Sequence, residues 1–167
     1  MPAGITLEEH SDKDIICIGG PAFNRTTQQL LSTHSKYLPV LFGQDVNGMY
    51  YLSERGRPEI TYHHRVADQR TAEDWALVLK LPHPYQQPTE HDTAFCLVLA
   101  GLSTFGTLAA ARFVTDSTWL KKLRKSLHFK DGRFFCALLR TWPTNNYLDV
   151  SDIKLIHQWS IVDPLGQ

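Results

Sequence analysis

The sequence predicts an α/β domain of Rossmann-like type, with a central parallel sheet, antiparallel additions and flanking helices. Three observations carry that expectation. A short β-branched run, Asp14-Ile15-Ile16-Cys17-Ile18, stops at Gly19-Gly20-Pro21 and leads into a helical stretch. A second run, Phe95–Ala100, does the same through Gly101-Leu102-Ser103-Thr104-Phe105-Gly106-Thr107. Both runs are apolar without alternation, the pattern of strands covered on two faces. Two strand–glycine–helix units of this kind imply crossovers and a parallel sheet.

The elements follow in order. Residues 1–13 read as a polar lead-in to a single domain spanning 14–167, a length suited to one core. Asn24 is placed to cap a helix over about Arg25–His34. Asn47-Gly48 is a hairpin-type pair between short strands, with Met49–Leu52 and Ile60–Tyr62 as the candidates. Trp75–Leu81 is a strand closed by Pro82 and Pro84, and the proline-bearing segment to Asp92 is a loop. Helices are expected over Leu108–Val114 and Trp119–Leu127, then strands over Phe134–Thr141 and Ile153–Ile161. The middle and late strands lack intervening helices, so they are the expected antiparallel additions.

Composition limits the function. Lys plus Arg and Asp plus Glu number 17 each, so no net field draws in a polyanion and bulk nucleic-acid binding is not expected. Apolar residues make up 43% and charged residues 20%, as in globular proteins. The three cysteines, Cys17, Cys96 and Cys136, lie in apolar runs and form no CxxC, which suits buried free thiols in a reducing compartment. The polar N-terminus does not read as a secretory signal, and the apolar stretch Ala94–Leu102 is too short to span a bilayer. The expectation is a cytoplasmic protein. Eight histidines allow a pH switch below about pH 6.5, although surface histidines are the blander reading.

The candidate site follows from the expected fold. Ligands of open α/β sheets sit beyond the carboxyl ends of the strands. Both glycine turns belong there. Gly19, Gly20, Gly101 and Gly106 permit close backbone approach, helix N-termini favour an anion, and Ser103, Thr104 and Thr107 add hydroxyls. Asn24 reads as a sugar or base partner or as a cap, and Arg112 as an anion partner or a surface ion pair. Glycines after strands also serve tight turning alone. Gly101 and Gly106 have the P-loop spacing, but Thr107 stands where the lysine belongs, which argues against that hydrolytic mechanism.

No catalytic motif selects among the acids Glu54, Glu59, Glu73, Asp74 and Glu90. Adjacent His63 and His64 would point to opposite strand faces and do not make a metal site. Lys121, Lys122, Arg124 and Lys125 form the solvated face of an amphipathic helix.

The pair Ile15–Asn24 and Leu97–Ala111 resembles prokaryotic Rossmann-like domains with paired GGPxxN and AGxxxxGTxxAA turns. Such domains occur in short uncharacterised bacterial proteins, with related segments in archaeal surface-layer proteins. The resemblance covers roughly residues 14–115 and implies the fold and the pairing of the turns, with no catalytic residues. The leading expectation is a ligand-sensing or regulatory domain that binds a nucleotide-like small molecule at the two turns. One alternative is an enzyme cleaving the N-glycosidic bond of a nucleotide or NAD, by fold analogy. Another is an interaction or homo-oligomerising module, with the cleft filled by side chains and exposed anchors among Trp75, Trp119, Trp142 and Trp159.

Overall fold

A computed structural model describes residues 6–67, 70–86, 94–126, 134–144 and 149–161. Strands dominate. They are β1 (Ile15–Ile18), β2 (Val40–Gln44), β3 (Tyr50–Glu54), β4 (Arg57–His63), β5 (Arg65–Ala67), β6 (Arg70–Pro82), β7 (Phe95–Gly101), β8 (Phe134–Pro143) and β9 (Val150–Ile161). The helices are α1 (Arg25–Thr33), α2 (Thr104–Thr115) and α3 (Ser117–Ser126).

The main sheet runs β1-β7-β6-β8-β9, with β5 paired to part of β6. Only the β1–β7 pair is parallel; β7–β6, β6–β8 and β8–β9 are antiparallel. A second sheet, β2-β3-β4, is antiparallel throughout. The fold is therefore a strand-rich mixed α+β architecture, and the expected Rossmann-like parallel sheet is not present. The reason lies in β6. Strands β7 and β8 are joined through α2 and α3, as a crossover requires, and they run in the same direction. Antiparallel β6 lies between them and pairs with both. The helical connection and the strand over Trp75–Leu81 were both readable; the insertion of that strand between β7 and β8 was not.

Both faces of β6 are covered, which explains its unbroken apolar run. Trp75, Leu77, Leu79 and Leu81 pack with Leu30, Leu38, Val40 and Leu52 of the α1 and small-sheet layer. Ala76 and Val78 pack with Ala109, Ala110 and Phe113 of α2. The small alanines let α2 lie close against the sheet. All three cysteines are buried on the α1 side as free thiols.

Strand β1 departs from the expectation of a strand buried on both faces. Ile15 and Cys17 face the core, whereas Ile16 is 61% and Ile18 58% exposed. An edge strand beyond the reach of α2 has one covered face only. Strand β2 was missed because Gly43 read as punctuation. It pairs with Tyr51, and a Cβ on Gly43 would sit 2.4 Å from the Tyr51 ring, so that ring covers the glycine. Gly48, with φ +79°, makes the expected turn between β2 and β3. Glu90, Leu127, Asn145 and Asn146 lie outside the described residues. No helix among the described residues is long and apolar enough to cross a membrane.

Candidate functional site

The parallel β1–β7 pair brings the two glycine turns together at one sheet edge. A Cβ on Gly20 would lie 2.7 Å from the Gly101 carbonyl oxygen, so the turns touch through bare backbone. In the first turn Gly19 has φ +113°, and its N–H donates to the Leu99 carbonyl at 2.9 Å. Asn24 caps α1. Its Oδ1 accepts from the Thr27 N–H at 3.0 Å and its Nδ2 donates to the Ile18 carbonyl at 3.1 Å. Both ends of its amide are engaged by the chain itself.

The second turn holds an anion of its own. Asp74 is fully buried at the start of the apolar part of β6. Its Oδ2 accepts from the Ser103 hydroxyl at 2.5 Å, the Gly106 N–H at 2.6 Å and the Ser103 N–H at 3.2 Å. Its Oδ1 accepts from the Trp75 N–H at 2.8 Å. The N-terminus of α2, read from sequence as a place for a ligand anion, is filled by this carboxylate. Antiparallel β6 is the cause: it enters the sheet at this edge, so its first residues meet the turn. In a parallel sheet a strand would leave here. Burial raises the Asp74 pKa, and the hydrogen bonds from Ser103, Trp75 and Gly106 and the charge of His64 oppose that rise.

The glycines around Asp74 serve contact. A Cβ on Gly106 would lie 2.5 Å from the Trp75 carbonyl oxygen and 2.9 Å from Asp74 Oδ2. One on Gly101 would lie 2.2 Å from the Thr107 nitrogen. Thr107 accepts from the Gly101 N–H at 3.1 Å and donates to the Ser103 carbonyl, tying the turn shut. Ser103 also caps α2 by accepting from the Phe105 N–H. Thr104 is exposed beside it.

Gly19, Gly20, Asn24, Gly101, Ser103, Thr104, Gly106 and Thr107 thus share one edge. Arg112 does not join them. It pairs with Asp149 and donates to the Val150 carbonyl, beside an open groove of about 500 Å³ that Trp119 and Asp152 also line. His63 stacks on Tyr51 at 5.3 Å, and among the described residues no three His, Cys, Asp or Glu side chains are grouped to hold a metal. None of the four tryptophans is exposed; Trp75 is buried, between Tyr62 at 4.6 Å and the Arg140 guanidinium at 5.5 Å.

The sequence reading named Asp74 among five acids but had no signal to select it. It also missed a groove of about 330 Å³ next to the first turn, between α1 and β2. Pro21, Leu31, Leu38, Leu41, Phe42 and Tyr50 form its apolar walls, and Gln28, Ser32 and Ser35 add polar groups. Gln28, Leu31, Ser32 and Ser35 recur at helical spacing from α1 onward, a pattern legible in sequence once the opposing strand is known. No carboxylate, histidine, cysteine or lysine is among its described lining residues. No protein-family model, curated protein or solved structure matches the chain.

Proposed function

We propose that the chain is a ligand-sensing domain that takes a flat, nucleobase-bearing small molecule in the groove between α1 and β2. One observation carries this reading: a concave, mostly apolar groove with a few polar groups borders the Gly19-Gly20-Pro21 turn. Leu31, Leu41, Phe42 and Tyr50 offer faces for a planar ring, and Gln28, Ser32 and Ser35 offer hydrogen bonds to its edge. Exposed Arg25 lies three residues before Gln28, on the same side of α1, where a phosphate on the ligand could reach it. The second turn has no part in the contact, because Asp74 occupies it.

Thermal-shift measurements with adenosine, AMP, cyclic nucleotides and NAD test the proposal. At least one should raise the melting temperature at millimolar concentration. Ser32→Trp, at an exposed helix position on the groove wall, should abolish the shift while the protein stays folded. Arg25→Ala should weaken nucleotides and leave nucleosides unchanged. Absence of any shift, or a shift that survives Ser32→Trp, would overturn the reading.

A further inference from the structure

The two edges of the main sheet are unlike. On β9 the exposed positions include Asp152, Lys154 and His157, and its pairing with β8 is irregular at two places. Charges and irregularities of that kind keep an edge from accepting another strand. Strand β1 has neither. Between Asp14 and Gly19 it carries only Ile15, Ile16, Cys17 and Ile18, and its register with β7 is regular. Ile16 and Ile18 stand on the α2 side, beside Leu97 and Leu99 of β7, and both are more than half exposed. Phe23, 89% exposed in the turn that follows, extends the apolar surface. The backbone is open along the same edge. The Gly19 N–H donates to the Leu99 carbonyl of β7. Backbone groups alternate in direction along a strand, so those of Ile15 and Cys17 also point to β7, and those of Ile16 and Ile18 point away from the sheet. The Asn24 amide agrees with this, since it reaches the Ile18 carbonyl from outside and uses one of that oxygen's two lone pairs. Among the described residues no strand pairs with this side of β1.

We infer that β1 is a dimerisation edge, which pairs antiparallel with β1 of a second copy about a twofold axis and joins the two main sheets into one. The residue pattern selects the register. An axis through Cys17 sets Ile16 opposite Ile18 of the second copy, and Ile18 opposite Ile16 of the second copy. Both members of each pair then turn their N–H and C=O groups toward each other, as a hydrogen-bonded antiparallel pair requires. The four isoleucines lie on one face and bury each other in the space that neither α2 covers. Moving the axis to the Ile16–Cys17 peptide would set the isoleucine face of one copy beside the cysteine face of the other. Moving it to Ile16 would set Asp14 opposite Ile18. Charge favours the same orientation. Asp12, Lys13 and Asp14 precede the strand, and Arg25 follows the turn after it. Antiparallel pairing brings the acidic start of one copy beside the basic end of the other. With 17 acidic and 17 basic side chains, no net charge drives two copies apart. Four residues make a small interface, so the dimer is weak and reversible. The inference does not depend on a ligand in the groove.

Sedimentation velocity over a range of concentrations tests it. The wild type should show a monomer–dimer equilibrium with a dissociation constant between about 1 μM and 1 mM. Ile16→Lys and Ile18→Lys should each raise that constant at least about tenfold, because every dimer carries the change twice. In dilute solution, where the wild type is monomeric, both variants should unfold at the wild-type urea concentration. Amide hydrogen exchange at Ile16 and Ile18 should slow as wild-type concentration rises, and exchange at Cys17, whose N–H faces β7, should not. Cross-linking reads the register. A mixture of Ile16→Cys and Ile18→Cys proteins should form a disulfide-linked dimer under mild oxidation faster than either protein alone, since only the mixed pair stands directly opposite. A wild type that stays monomeric throughout, or a dimer that neither lysine variant weakens, overturns the inference. Slow exchange at Ile16 and Ile18 in the dilute monomer would mean that a segment of the same chain occupies the edge, and overturns it as well. Cross-linking of Ile16→Cys alone at the rate of the mixture overturns the register.

Discussion

At the scale of single residues, Asp74 and Gly106 behave as one unit. The carboxylate gathers three donors from the start of α2 and one from its own strand, and Gly106 leaves room for it. Gly106→Val would push a side chain against the Trp75 carbonyl, which is part of β6 and has no freedom to yield. The expected loss is more than about 2 kcal/mol in urea unfolding, with or without nucleotide. A variant that keeps wild-type stability would place the glycine's role elsewhere. Asp74→Ala leaves the Ser103 hydroxyl and three N–H groups without their acceptor. Its expected cost is about 3 kcal/mol, measured the same way. The thiols give a third check. Cys17 is 3% exposed and Cys96 fully buried, so a bulky thiol reagent should label either only as fast as the protein unfolds. Burial also raises both pKa values, Cys96 to about 12, which suppresses the thiolate.

Among the elements, β1 shows how an edge position changes the meaning of an apolar run. Four consecutive apolar residues, Ile15–Ile18, imply cover on both faces. At the edge of the sheet only Ile15 and Cys17 are covered. Ile18→Lys should therefore change stability by no more than about 0.5 kcal/mol, whereas Leu79→Ala in doubly covered β6 should cost about 2–5 kcal/mol. A loss above about 1.5 kcal/mol for Ile18→Lys would mean that something covers that face. In α1 the two ends have different roles. Asn24 closes its beginning through two backbone bonds, and His34 closes its end by donating its backbone N–H to the Leu30 carbonyl.

For the whole molecule, pH tests how the layers are joined. Glu54, on β3, is buried and accepts from the Tyr62 hydroxyl and Arg57, both on β4. The Tyr62 hydrogen bond first, then Arg57, holds its carboxyl below the usual 4.5, and burial, with the same contact second, pushes the Tyr62 hydroxyl up to about 12. A carboxylate with a depressed pKa stabilises the fold above its unfolded value and loses that contribution as pH falls through the folded one. Burial lowers the pKa values of His34 and His83 from 6.5, so the folded state resists protons that the unfolded chain accepts. Two acid losses are therefore expected in denaturant titrations: one beginning near pH 6.5 from His34 and His83, and one below pH 4.5 from Glu54. Glu54→Gln should reduce the lower loss and leave the upper unchanged.

Most local elements of this protein, β2 excepted, were determined by its sequence alone. Asn24 as a cap, the Asn47-Gly48 turn, the helices after both glycine turns, the strands around Trp75–Leu81 and Phe95–Ala100, and the burial of the cysteines all follow from residue type and spacing. Strand direction was decided only by the tertiary structure. The missing helices between the middle and late strands implied antiparallel additions, but a strand covered on two faces has the same apolar run whether its neighbours are parallel or antiparallel, so nothing in Trp75–Leu81 revealed that β6 would lie between β7 and β8 and run against both. That direction delivers Asp74 to the start of α2 and removes the anion site that the glycines and hydroxyls implied. The groove beside Pro21 depends likewise on β2 lying against α1. Spacing records which face of an element is buried; only packing selects the neighbour that buries it.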